Sequence, residues 1–184
     1  HSWLIVEVED GGILIDPTWG AGGIKDNVFQ RKENDMSWFH VDPYWMIFSH
    51  YPDDEQYQFL ETPISWQSYI QLPTIYPILG DFGWNGKDIL SKVLNGEIQN
   101  FPTVYEDYAE YLYLLDIPIQ KTLRPGRFYD FHIRKKKDES IVLIHDNEFV
   151  HETEWKQDGN DFRIGYMPVT GGTLKISVAQ GEKR

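Results

Sequence analysis

Two residues near the start of the sequence, His1 and Asp16, carry the side chains of a catalytic base and of the group that orients it. An imidazole titrates near neutral pH, and a carboxylate bonded to one of its nitrogens fixes the tautomer and stabilises the imidazolium. Such a pair activates a nucleophile by taking its proton. The two residues are therefore a candidate base and its orienting group, provided that the chain brings them together.

A hairpin is the element that would position the pair. Two short apolar runs, residues 4–8 and 13–15, flank the turn sequence Asp10-Gly11-Gly12, which predicts two antiparallel strands. In this hairpin His1 opens the first strand and Asp16 closes the second. The two side chains are therefore expected to face each other.

The motifs around these residues resemble the His and Asp motifs of the transglutaminase-like cysteine proteinase superfamily, in the branch related to the kyphoscoliosis peptidase. The resemblance rests on His1-Ser2-Trp3, on the run from Ile15 to Gly22, and on further motifs in the same order: Trp38 to Pro43, Ser49 to Asp54, Gln58 to Leu60 and Pro63 to Ser65. It implies an α+β fold, namely the C-terminal part of a transglutaminase-like (papain-like) domain with an antiparallel sheet.

The resemblance also implies a Cys-His-Asp triad in which His1 is the base and Asp16 orients it. The triad would attack peptide carbonyls or Gln side-chain amides, with water or an amine as acceptor. The nucleophilic Cys of that family precedes the His, whereas this sequence contains no Cys. We therefore expect the chain to be the C-terminal portion of a longer protein and to be inactive alone, with the upstream segment as its partner.

Several alternatives remain open. A degenerate transglutaminase-like fold without a nucleophile would serve as a non-catalytic interaction or scaffold protein. Trp19 either lines a substrate groove or belongs to the core, and the tyrosines at positions 105, 108, 111 and 113 suggest a carbohydrate-binding module more weakly. No cofactor is predicted. The spacing of His40, Asp42, His50 and Asp53 fits no recognised metal site.

The composition limits the partners. The formal charge is −12, which disfavours nucleic acid and anionic membranes, and no apolar run is long enough to span a bilayer. The resemblance implies a peptide or protein substrate as the partner. Family members of this kind are often exported, so the resemblance favours an extracellular or periplasmic location.

Charge and periodicity change along the chain. Residues 1–100 carry 15 acidic and 5 basic residues (net −10), and residues 101–184 carry 14 and 12 (net −2). We predict a transglutaminase-like part over residues 1–80, a connector over 81–105 with a helix at 87–94, and an immunoglobulin-like β-sandwich over 106–184. Asp42 and Ser65 are predicted helix N-caps. The predicted strands cover residues 111–115, 117–122, 127–134, 140–145, 160–166 and 173–178.

Overall fold

The computed structural model describes residues 1–9, 11–32, 36–98, 101–104, 108–120, 122–137, 140–150 and 156–179. The fold is mixed α/β, with antiparallel strand pairs and few helices over this part of the chain. Two compact units are present. The first comprises His1–Gly80 with Asn85–Glu97, and the second comprises Asp81–Trp84 with Ile98–Arg184.

The first unit begins with the predicted hairpin. Its strands are β1 (Leu4–Val8) and β2 (Gly11–Ile15), paired so that Leu4 faces Ile15. A second hairpin follows, formed by β3 (Gly22–Lys25) and β4 (Val28–Arg31). Strand β5 (Phe39–Val41) then returns to pair with β2, which gives a three-stranded sheet in the order β1-β2-β5.

Short helices in the first unit start at capped positions. Three of them are single turns: α1 (Pro17–Gly20), α2 (Pro43–Met46) and α3 (Trp66–Tyr69). Asp16, Asp42 and Ser65 cap them by accepting backbone N–H groups, so the predictions for Asp42 and Ser65 are confirmed. The longer helix α4 (Gly86–Leu94) is capped by Asn85. A helix was thus correctly predicted there, and the structure assigns it to the first unit.

The core of the first unit lies around α2 and β5 and combines aliphatic with aromatic side chains. Trp45 at the centre of α2 is 4% exposed, and the residues that follow it are buried as well. Gly86 opens α4 against this helix. A Cβ atom at position 86 would lie 3.0 Å from the Cβ of Tyr44 and 3.2 Å from the Trp45 ring, so glycine permits the close approach of α4 to α2. The buried residues here are Leu14, Trp38, Val41, Trp45, Met46, Ile47, Phe48, Leu60, Ile64, Ile75, Leu79, Ile89 and Leu90.

The second unit contains the remaining strands in two sheets. The strands are β6 (Leu112–Asp116), β7 (Tyr129–Lys135), β8 (Ser140–His145), β9 (Glu148–Val150), β10 (Lys156–Asp158), β11 (Asp161–Tyr166) and β12 (Leu174–Ala179). One sheet has the order β10-β11-β7-β6 and the other has the order β12-β8-β9. Phe131 and Ile164 from the first sheet form one buried cluster with Leu143 from the second.

Most of the strands predicted for the second unit match observed ones. Those at 111–115, 127–134, 140–145, 160–166 and 173–178 correspond to β6, β7, β8, β11 and β12. The prediction of a strand over 117–122 is wrong for residues 117–120 and 122, which have no regular structure; residue 121 lies outside the described residues. The three-residue strands β9 and β10 were not predicted. Tyr105 lies outside the described residues.

A charged cluster on the second unit joins the adjacent strands β7 and β11. The Arg134 guanidinium donates to both oxygens of Asp161 at 2.5 and 2.9 Å, and the His132 ring lies 3.2 Å from the same carboxylate. Arg134 is the main reason why the pKa of Asp161 is lowered to about 2. Because these groups face solvent, the cluster is a surface ion pair between neighbouring strands.

None of the described helices has the length and apolarity that a bilayer crossing requires.

Candidate active site

Asp16 lies at the centre of the first unit, where the hairpin ends and α1 begins. Its backbone N–H donates to the carbonyl of Trp38 at 2.9 Å, which ties the end of β2 to the residue before β5. The register between β2 and β5 is irregular at Leu14 and Ile15. His40, which lies between the two paired residues of β5, has a positive φ of 57°. This local bulge sets where Trp38 meets Asp16.

The Asp16 carboxylate is fully buried and accepts four hydrogen bonds. Oδ1 accepts the backbone N–H groups of Thr18 and Trp19 at 2.9 and 3.0 Å, as an N-cap does. Oδ2 accepts the Nε2 atoms of His1 and His50 at 2.7 and 2.8 Å. A buried carboxylate is expensive unless it is hydrogen-bonded, and here both oxygens have two donors each.

His1 and Asp16 form the expected hydrogen-bonded pair, but neither residue lies within a strand as predicted. His1 lies three residues before β1 starts, and Asp16 follows the last residue of β2, so both lie just outside the ladder. The His1 side chain is 35% exposed, whereas Asp16 is 0% exposed. The pair therefore joins a buried carboxylate to an imidazole that solvent and ligands reach.

His50 is a third member of the site, and the sequence analysis did not place it beside His1 and Asp16. The backbone turns that follow α2 bring it to Asp16, since the N–H of His50 donates to the carbonyl of Met46 at 2.9 Å. Its Nδ1 lies 2.7 Å from the Ser49 hydroxyl, and the Ser49 carbonyl accepts the hydroxyl of Tyr69. Burial lowers the pKa of His50 below its ordinary value of 6.5. The hydrogen bond and charge of Asp16 oppose that change.

Three tryptophan rings surround the imidazole of His50, and one of them also lies beside His1. Trp3, Trp19 and Trp38 lie with their centroids 5.0, 4.8 and 5.4 Å from that of His50. Trp19 also lies 5.6 Å from the His1 ring and 4.8 Å from Trp38. Trp19 is half-buried, so it both packs in the core and borders the exposed side of His1. The apolar rings keep water from the buried side of the site, which strengthens its hydrogen bonds.

The other residues considered as metal ligands do not converge. His40, Asp42 and Asp53 are exposed, and Asp42 caps α2. Only His50 of that set reaches the site. One signal in the sequence could have identified it: His50 follows the apolar run Trp45 to Phe48 by two residues, so it is expected to be buried, and a buried imidazole needs a partner.

The site is better described as a hydrogen-bonded cluster than as a metal centre. His1, Asp16 and His50 each offer one ligand atom, and these atoms lie within 4.8 Å of one another. Ligand atoms around a tetrahedral zinc ion, with bonds of about 2.0–2.1 Å, are roughly 3.3 Å apart. The observed separations of 2.7 and 2.8 Å are those of charge-assisted hydrogen bonds.

Comparisons with protein-family models, curated protein sequences and solved structures find no match for this chain. Its function is therefore inferred from the arrangement of its own residues.

Proposed function

We propose that this chain supplies the base and the orienting carboxylate of a transglutaminase-like thiol hydrolase or acyltransferase. The observation that carries the proposal is the hydrogen bond of 2.7 Å between His1 and the fully buried Asp16. In this proposal the nucleophile is a Cys from a segment upstream of His1. The substrates are peptide bonds or Gln side-chain amides, as in the family that the sequence resembles.

The nitrogens of His1 have different roles. An ionised carboxylate only accepts hydrogen bonds, so Nε2 of His1 carries the proton that Asp16 Oδ2 receives. In the neutral ring Nδ1 is then a lone-pair acceptor, and no described residue hydrogen-bonds to it. Because the His1 side chain is 35% exposed, this nitrogen is the one available to a nucleophile.

The chemistry follows from that tautomer. Nδ1 of His1 accepts the thiol proton, and Asp16 stabilises the resulting imidazolium. The thiolate forms a bond to the amide carbonyl carbon, and the C–N bond breaks as the imidazolium returns its proton to the departing nitrogen. A water molecule or a primary amine then attacks the thioester, and His1 accepts a proton from that acceptor. The Cys leaves as the acyl group is released, and the site is regenerated.

The proposal extends to the second unit. Its two antiparallel sheets share one buried cluster, which supports an immunoglobulin-like sandwich following the catalytic part. Such a module would present or recognise a protein partner.

A non-catalytic interaction protein is the second candidate function. Strand β1 is an edge of its sheet and carries the exposed apolar side chains Leu4 (54%), Val6 (45%) and Val8 (46%). Exposed apolar strand edges favour pairing with another segment. The two functions differ in one requirement, since only the enzyme needs a Cys that precedes His1.

The test uses the protein encoded by the uninterrupted reading frame that contains this chain. Purified protein is incubated with a blocked Gln-Gly dipeptide, and ammonia release is measured with and without a primary amine such as cadaverine. A fluorescent protein substrate reports peptide-bond cleavage in parallel. We expect activity in at least one assay, and we expect it to be lost when the upstream Cys is replaced by Ser.

The controls separate the two candidate functions. His40→Asn should keep wild-type activity, because His40 is exposed and Asn tolerates its positive φ. A reading frame without a Cys codon before His1, or activity that survives the Cys→Ser change, contradicts the enzymatic proposal. The first of these results would favour the interaction protein.

A further inference from the structure

We propose that His50 is a positioning residue for the His1–Asp16 pair, because it donates Nε2–H to the same carboxylate oxygen that orients His1. The catalytic meaning of this role rests on the proposed function. The hydrogen-bond arrangement itself can be tested on this chain without a nucleophile or a substrate.

The direction of each hydrogen bond follows from chemistry. Oδ2 of Asp16 accepts, so Nε2 of His50 must carry a proton. His50 is 4% exposed and its burial favours the uncharged ring, so Nδ1 is an acceptor. The Ser49 hydroxyl has two acceptors in reach, the Met46 carbonyl at 3.4 Å and Nδ1 at 2.7 Å, and its single proton goes to the much nearer Nδ1. The hydrogen bonds are therefore donated in one direction, from the Ser49 hydroxyl to His50 and from His50 to Asp16.

Among the described residues, only the imidazoles of His1 and His50 hydrogen-bond to Oδ2 of Asp16. The backbone donors Thr18 and Trp19 bind Oδ1 of Asp16, which leaves Oδ2 to its two imidazole partners. His1 is the more exposed of these, with its side chain 35% exposed against 2% for His50. The buried His50 is therefore the rigid partner, and it holds Oδ2 at the position from which His1 is oriented.

The surroundings of His50 hold few other charged groups. Among the described residues, the titratable groups that face it are the carboxylate of Asp16 and the imidazole of His1; in the isolated 184-residue chain, the amino group of His1 faces it as well. The remaining walls are the rings of Trp3, Trp19 and Trp38, and the hydroxyl of Tyr69 binds the neighbouring carbonyl of Ser49. Water that replaced His50 would be poorly held among these rings, so the donor role falls to the side chain itself.

Two substitutions with side chains of nearly equal length distinguish a positioning role of His50 from a packing role. His50→Gln keeps an N–H donor near the place of Nε2, whereas His50→Met fills the same space without a donor. Packing against three tryptophans alone would favour Met over Gln. If His50 instead positions Asp16 through its hydrogen bond, Gln should replace it better than Met does.

The experiment is nitrogen NMR on the 184-residue chain labelled with ¹⁵N-His, with folding of each variant checked by near-ultraviolet circular dichroism. In the wild type we expect His50 to be neutral with its proton on Nε2, and to remain so below pH 6.5. We also expect a slowly exchanging low-field Nε2–H proton on His1. His50→Gln should retain this His1 signal, and His50→Met should lose it or speed its exchange at least tenfold.

Two results overturn the proposal. One is a His50 ring that carries its proton on Nδ1, or is charged, in the wild type at pH 7; this result needs no variant to fold. The other is a His1 signal that is as well protected in His50→Met as in the wild type. Because neither readout depends on catalysis, failure here is distinct from failure of the amide assays.

Discussion

Replacing His1 by Ala is expected to lower turnover about 10³-fold or more in the protein that carries the proposed Cys. The change removes the acceptor of the thiol proton and the donor to the departing amine at once, and a positioned acid–base group typically contributes about 10²–10⁴-fold. The fold should remain, because the side chain of His1 is 35% exposed and lies outside the strands. Single-turnover ammonia release from a Gln peptide measures the effect.

The matched control for this change is His40→Asn, since His40 is also an exposed His of the first unit but lies outside the site. A His1→Ala variant that keeps more than about a tenth of the wild-type turnover contradicts the role of His1 as base. Equal losses in both variants would instead indicate a general disturbance of the first unit.

Replacing Asp16 by Ala should destabilise the first unit by about 3–5 kcal/mol, as expected when one partner of a buried charged network is removed. The variant leaves the N–H groups of Thr18 and Trp19 and the Nε2–H groups of His1 and His50 without their acceptor. Each buried donor without a partner carries a desolvation cost of about 1–3 kcal/mol. The loss of stability should therefore exceed the loss caused by removing an ordinary helix N-cap residue.

Asp42→Ala is a closely matched control for Asp16→Ala. Both Asp16 and Asp42 cap a four-residue helix that begins with Pro, but Asp42 is exposed and accepts only the N–H of Tyr44. Its removal should cost about 1 kcal/mol. Urea denaturation followed by Trp fluorescence measures both variants, because five of the seven Trp residues lie within residues 1–80. Equal costs for the two variants would show that the buried network contributes little.

Local signals were read correctly where they act over a few residues. The Gly-rich turn between two apolar runs predicted β1 and β2, and an Asp before Pro or a Ser before an aromatic run predicted where α2 and α3 begin. The N-cap Asp42 and the next helix-breaking residue, Pro52, would allow a longer helix than α2, which ends at Met46. After Met46 two of the four backbone hydrogen bonds, donated by Phe48 and Ser49, go to i−3 carbonyls instead of i−4 carbonyls, which tightens the chain into turns up to His50.

Contacts between distant residues were harder to predict. His50 is 34 residues from Asp16, and no period or turn signal relates the two. The pairing of β2 with β5 contains an irregular register, so the position of Trp38 beside Asp16 could not be counted from the sequence. Strands β9 and β10 are three residues each and too short for an alternating pattern to identify them.

The most direct measurement of the central claim is the pH dependence of alkylation by iodoacetamide at the proposed Cys. A thiol that has transferred its proton to His1 reacts as a thiolate, so its alkylation rate should stay high well below the ordinary thiol pKa of about 8.5. His1→Ala should return the midpoint to about 8.5, whereas His40→Asn should leave it low. An alkylation midpoint near 8.5 in the wild type, unchanged by His1→Ala, would contradict the assignment of His1 and Asp16 as the base and orienting group of a thiol nucleophile.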